Sequence, residues 1–80
     1  MTGRIDVLAL ASEEDIVAAR QRARYIAGAL GFDPQDQTRI ATGVSEIARN
    51  AVSYAGGGEI AFSLDDAAHP QMLRVTVSDR

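Results

Sequence analysis

The sequence contains no cysteine, which removes both a disulfide framework and a thiolate metal centre from consideration. Lysine is missing too, since all eight basic residues are arginine. No Gly-x-x-x-x-Gly-Lys-Ser/Thr phosphate loop exists in the chain. Its one histidine, His69, stands beside Pro70 in turn-like surroundings with no further ligands at metal spacing, so no catalytic or metal role is built on it. No apolar run approaches the roughly 18 residues that a membrane span needs, and no basic-then-apolar leader opens the chain. A cytoplasmic protein without a membrane role is therefore the expectation. A positive balance is also lacking. The formal charge is −3 at pH 7, whereas nucleic-acid binders usually carry a basic excess, so no nucleic-acid partner is expected.

What is present suits one small globular unit. Eighty residues, 46% hydrophobic and 24% charged, are ordinary for a soluble domain, and such a chain buries roughly 60% of its unfolded surface. Arg4–Leu10 (RIDVLAL) is rich in Ile, Val and Leu and reads as a strand. Ser12 followed by Glu13, Glu14 and Asp15 supplies a helix cap and a negative first turn. Behind it Ile16, Ala19, Ala23, Ile26, Ala27 and Leu30 recur at helical spacing, and Gly31 suits a left-handed C-cap.

A second helix starts at once, with Asp33 as cap and Pro34 in the first helical position, where its missing N–H costs nothing. Ile40, Val44, Ile47, Ala48, Ala51 and Ala55 carry its apolar period until Gly56-Gly57-Gly58 ends it and leads into a strand. The rest alternates with period two: Ile60, Phe62 and Leu64, a turn over Asp65–Pro70, then Leu73, Val75 and Val77. The predicted order is β-α-α-β-β, an α+β two-layer sandwich with both helices on one face of the sheet.

Chemistry gathers on the second helix. With 100° per residue and Ile40 at zero, Glu46 and Asn50 fall together near about 240° and 280°. Arg39 and Gly43 lie on the same side, and the glycine leaves room for a ligand or another backbone. A solvated face would also accept Glu and Asn at this spacing, although Asn is a poor helix former. In the last strand Asp79 shares the parity of Leu73, Val75 and Val77. An acidic side chain aimed at a covered face is costly unless something satisfies it, so Asp79 either marks an exposed strand end or accepts a ligand N–H. Tyr54, near the end of the second helix, reads as a packing residue. Arg20 and Arg24 lie on a flank of the first helix, as arginines that snorkel at a helix edge or meet an acidic partner.

The stretch SEIARNAVSYAGGG, Ser45–Gly58, resembles the N-box helix of the GHKL, or Bergerat-fold, ATPases, and VSDR at Val77–Arg80 resembles the opening of their Asp-x-Gly-x-Gly box. The run Asp36–Thr42 brings the resemblance closest to the RsbT-type serine kinases, which act on anti-sigma-factor antagonists. The resemblance covers essentially residues 1–80, as the N-terminal part of a GHKL ATP-binding domain and an incomplete Bergerat fold. It implies ATP and Mg²⁺ as cofactors, with Glu46 as general base, Asn50 as magnesium ligand and Asp79 as acceptor of the adenine amino group. It further implies a regulatory serine/threonine kinase of the partner-switching type, whose protein partner is a small antagonist-like protein. Two other functions fit the same fold: the ATP-binding domain of a sensor histidine kinase, against which Glu46 argues, and a docking module without catalysis. Because the sequence stops at Arg80, before either glycine of the second box, these eighty residues alone are expected to self-associate and to hydrolyse little or no ATP.

Overall fold

The computed structural model describes residues 2–54, 56–65 and 72–79. Five elements follow in the order anticipated: β1 (Thr2–Leu10), α1 (Glu13–Ala29), α2 (Pro34–Tyr54), β2 (Gly58–Asp65) and β3 (Met72–Asp79). The strands form one antiparallel sheet in the order β1-β2-β3. The α+β sandwich is thus observed. β1 begins two residues earlier than the apolar run indicated, and a register shift between Arg4 and Asp6 marks a bulge in it. Of the turn expected over Asp65–Pro70, Asp65 instead ends β2, paired with Met72, and 66–70, with His69, lie outside the described residues, as does Ala55.

Local chemistry sets each helix boundary. Ser12 is extended at the head of α1, and the Asp15 carboxylate reaches back to accept the N–H groups of Ala11 at 2.8 Å and Ser12 at 3.2 Å. That contact satisfies donors which the helix start leaves open. At its other end Gly31 is left-handed, with φ +93°. The Phe32 N–H donates to Ala27 O at 3.0 Å and the Gly31 N–H to Gly28 O at 3.1 Å, the paired bonds of a Schellman ending. Asp33 caps α2 through Oδ1, which accepts the Asp36 N–H at 2.8 Å. After Tyr54 the chain turns through Gly56 (φ +74°) and Gly57 (φ +109°). A Cβ on Gly57 would stand 2.6 Å from Leu10 O, so glycine is required there by contact as well as by backbone angle.

The core lies between the helix pair and one sheet face. Leu10, Ile60 and Phe62 come from the strands and Ile16, Ile26 and Val44 from the helices, and among the described residues six of the twelve buried apolar side chains are alanine. Leu73, Val75 and Val77 are half-buried against this cluster, as their parity required. The buried residues of α2 are Ala41, Val44, Ala48 and Ala51, whose sector centres about 60° round from Ile40. Ile47 was placed in the core stripe and is instead 45% exposed. The cause is α1, which packs against one side of α2 and draws the buried sector toward itself. Among the described residues, no helix is long and apolar enough to cross a membrane.

Candidate functional site

α1 and α2 run antiparallel, and polar contacts pin both ends of the pair. At one end Arg24 Nη2 donates to Thr38 Oγ1 at 2.7 Å. At the other, Arg49 Nη1 donates to both carboxylate oxygens of Glu13, at 3.1 and 3.3 Å. Arg22 on the far flank of α1 pairs with Asp6 of β1. Asp6 Oδ2 is closed off from solvent without an aligned hydrogen bond, so this contact is ionic, while Oδ1 accepts the Val7 N–H at 2.9 Å. None of these pairings, up to 36 residues apart in sequence, was anticipated.

Glu46 and Asn50 differ from all of these. Both are exposed on α2, and neither side chain has a hydrogen bond or ion pair among the described residues. Nearby charges are already engaged: Arg39 with Asp36 at 3.4 Å, Arg49 with Glu13. Gly43, one turn before Ile47, has open space where a Cβ would stand, with nothing within 4 Å. No neighbouring atom of the chain therefore demands glycine at this position. Gly43, Ile47, Asn50 and Tyr54 recur every three to four residues, which aligns them along one flank. Tyr54, read from sequence as a packing residue, is 87% exposed. It stands one turn beyond Asn50, on the side of α2 turned away from α1, where no second helix covers it. The signal missed was its offset from the alanines that define the buried sector.

The sheet register locates the third residue. Gly58 pairs with Leu10 on one side and with Asp79 on the other. Gly58 follows the C-terminal end of α2 after the glycine turn, so the backbone of Asp79 lies at the end of the molecule that α2 reaches with Asn50 and Tyr54. The expectation for the Asp79 side chain lies outside the described side chains. Glu46 sits one turn further from that end. Sequence distance thus hides a shared placement: the glycine turn after α2 and the antiparallel register of β2 and β3 bring the backbones of residues 50 and 79 toward one end.

The donor set bears on the metal question. Among the described residues no three His, Cys, Asp or Glu side chains form a metal-binding group. A dedicated protein cage is therefore not what this flank offers. A carboxamide oxygen beside open space suits a hard cation that keeps its waters and takes its other ligands from phosphates, as Mg²⁺ does. Neither Glu46 nor Asn50 lines the two clefts described on α1; both stand exposed on α2.

No protein-family model matches the chain, and no solved structure does. Over 69 residues, 86% of its length, the chain is 55% identical to the serine/threonine-protein kinase RsbT of Bacillus subtilis (strain 168). The matched stretch makes up 52% of that protein, so the chain spans about half the length of the relative. Identity at this level over 69 of the 80 residues is far beyond what a shared fold alone produces. Over about half of that relative's length, the chain is thus similar to a protein named as a serine/threonine kinase.

Proposed function

We propose that residues 1–80 form the N-terminal part of a GHKL-type ATP-binding domain in a regulatory protein serine/threonine kinase. The observation that carries this reading is the Glu46–Asn50 pair, unengaged among the described residues, on an exposed flank next to Gly43, at which no described residue comes within 4 Å of a Cβ. The likeness to RsbT supports it. In this reading Asn50 offers its side-chain oxygen to the magnesium of a bound nucleotide, a neutral ligand that adds no repulsion to the triphosphate. Mg²⁺, when bound, neutralises charge on the transferring phosphoryl group. Glu46 accepts the proton of the attacking serine hydroxyl and orients it, since phosphoryl transfer asks chiefly for positioning and charge neutralisation. Asp79, at the end of β3, accepts the adenine amine, which selects ATP over GTP. Tyr54 adds an exposed ring at the same end for the base to lie against. The protein substrate is a small antagonist-like partner in a cytoplasmic partner-switching circuit.

The test uses a chain that carries this stretch together with the remainder of an RsbT-length domain. Glu46→Gln is expected to leave calorimetric ATP·Mg²⁺ binding nearly intact while phosphoryl transfer falls by ~10²–10⁴-fold, the usual contribution of a general base. Normal turnover in Glu46→Gln would remove Glu46 from the reaction. Absence of ATP binding in the unaltered chain would remove the whole reading.

A further inference from the structure

A second polar feature lies on the seam between α1 and α2, on the side away from the sheet. Arg20 and Arg24 stand one turn apart on α1. Thr38 and Thr42 stand one turn apart on α2, and all four line a cleft of about 290 Å³. The arginines differ in their engagement. Arg24 is held by Thr38 Oγ1, which in turn donates to Pro34 O at 3.0 Å. Arg20 has no hydrogen bond or ion pair among the described residues, whereas the other helix arginines, 22, 24, 39 and 49, each have a partner.

The chain has eleven acidic side chains and a negative balance, yet among the described residues no acidic side chain lines this cleft. Its sign is locally reversed. A guanidinium pair with two hydroxyls beside it is a donor set for a carboxylate. The volume sits at the floor of the range for small-molecule pockets, which favours side chains of a segment over a whole cofactor. Gln21 lines this cleft and also a neighbouring one of about 450 Å³ on the outer ridge of α1, where Tyr25 stands 74% exposed. An exposed tyrosine next to a charged cleft has the character of an interface anchor.

We propose that this surface docks an acidic segment of a partner protein, with one carboxylate seated at Arg20 and Arg24 and an apolar residue against the Tyr25 ring. Crossing a helix ridge of roughly 10 Å takes an extended peptide, at about 3.3 Å per residue, roughly three residues. The carboxylate and the apolar residue are therefore about three positions apart in the partner. The site stands independently of the nucleotide reading, because neither Glu46 nor Asn50 lines it.

Fluorescence anisotropy at low ionic strength tests this with a labelled peptide carrying Asp or Glu and Leu at that spacing. The controls are the same peptide with Asn and Gln in place of the acids, and inorganic phosphate as competitor. The acidic peptide is expected to bind without nucleotide and to weaken as salt rises. Arg20→Ala should weaken it by about tenfold, the scale of a lost hydrogen bond to a charged group. Arg74→Ala, on the sheet, should leave binding unchanged. Because Arg20 is exposed and has no hydrogen bond or ion pair among the described residues, its alanine variant should keep the circular dichroism of the unaltered chain. Tyr25→Ala should weaken the peptide but not phosphate. The proposal is overturned if the amide peptide binds equally well, if Arg20→Ala and Arg74→Ala behave alike, or if phosphate displaces the peptide at equal concentration.

Discussion

The seam of the helix pair and the outer flank of α2 use the same kinds of residue to opposite ends. Along the seam, Glu13, Arg24, Thr38 and Arg49 find each other across the two helices. On the flank, Glu46 and Asn50 find nothing within the described chain. Glu13 and Glu46 are both exposed carboxylates on helices and differ only in whether the fold supplies a counter-charge. Polar residues that a fold satisfies internally explain themselves. Those it leaves open next to a void and an exposed ring are what the proposed nucleotide site is built on.

Four experiments sharpen the contrast, beginning beneath the seam. Phe62 is completely buried in β2, and Phe62→Ala should cost about 3–5 kcal/mol. In a chain this small that removes most of the stability, and loss of a cooperative thermal transition would show it. Gly57→Ala should cost about 2–3 kcal/mol, since the new Cβ meets Leu10 O and the backbone angle is unfavourable. A midpoint unchanged in urea would mean that the turn relaxes at no cost.

Asn50→Ala should separate the two regions most clearly. Alanine is the better helix former, so the fold should gain a few tenths of a kcal/mol while Mg²⁺-dependent nucleotide binding drops by about 1–3 kcal/mol. If stability fell instead, Asn50 would belong with the structural residues. The smallest effect is expected at Glu13 and Arg49. A double-mutant cycle to alanine should return a coupling of roughly 0.2–1 kcal/mol, as for other exposed ion pairs, and no change in nucleotide affinity.

The sequence made the elements legible because their punctuation is local. Ser12, Gly31, Asp33 and the glycines after Tyr54 each act within a few residues of themselves, and each acts as its chemistry requires. Helical spacing likewise placed Glu46 and Asn50 on one flank without knowledge of the fold. What one helix cannot reveal is which way it is turned. The buried sector of α2 is set by α1, so Ile47 and Tyr54 were assigned to packing and emerge exposed. The Asp6–Arg22 and Glu13–Arg49 pairs were invisible for the same reason, since they depend on how separate elements meet. The position of Asp79 opposite Gly58 needed the strand register, which period-two alternation leaves free to slide.

The alanines of the core have a mechanical consequence. Ala19, Ala23 and Ala27 on α1 and Ala41, Ala48 and Ala51 on α2 supply half of the buried apolar side chains among the described residues. Burying alanine costs no rotamer entropy, and a methyl group has no alternative conformer into which to relax. Beside Ile16, Ile26 and Val44, much of the helix core thus has no rotamers to exchange. Such a pair is expected to move as one body, so that a shift of α1 carries Glu46 and Asn50 with it. A partner that presses on the outer ridge of α1 would displace the flank of α2 without deforming it.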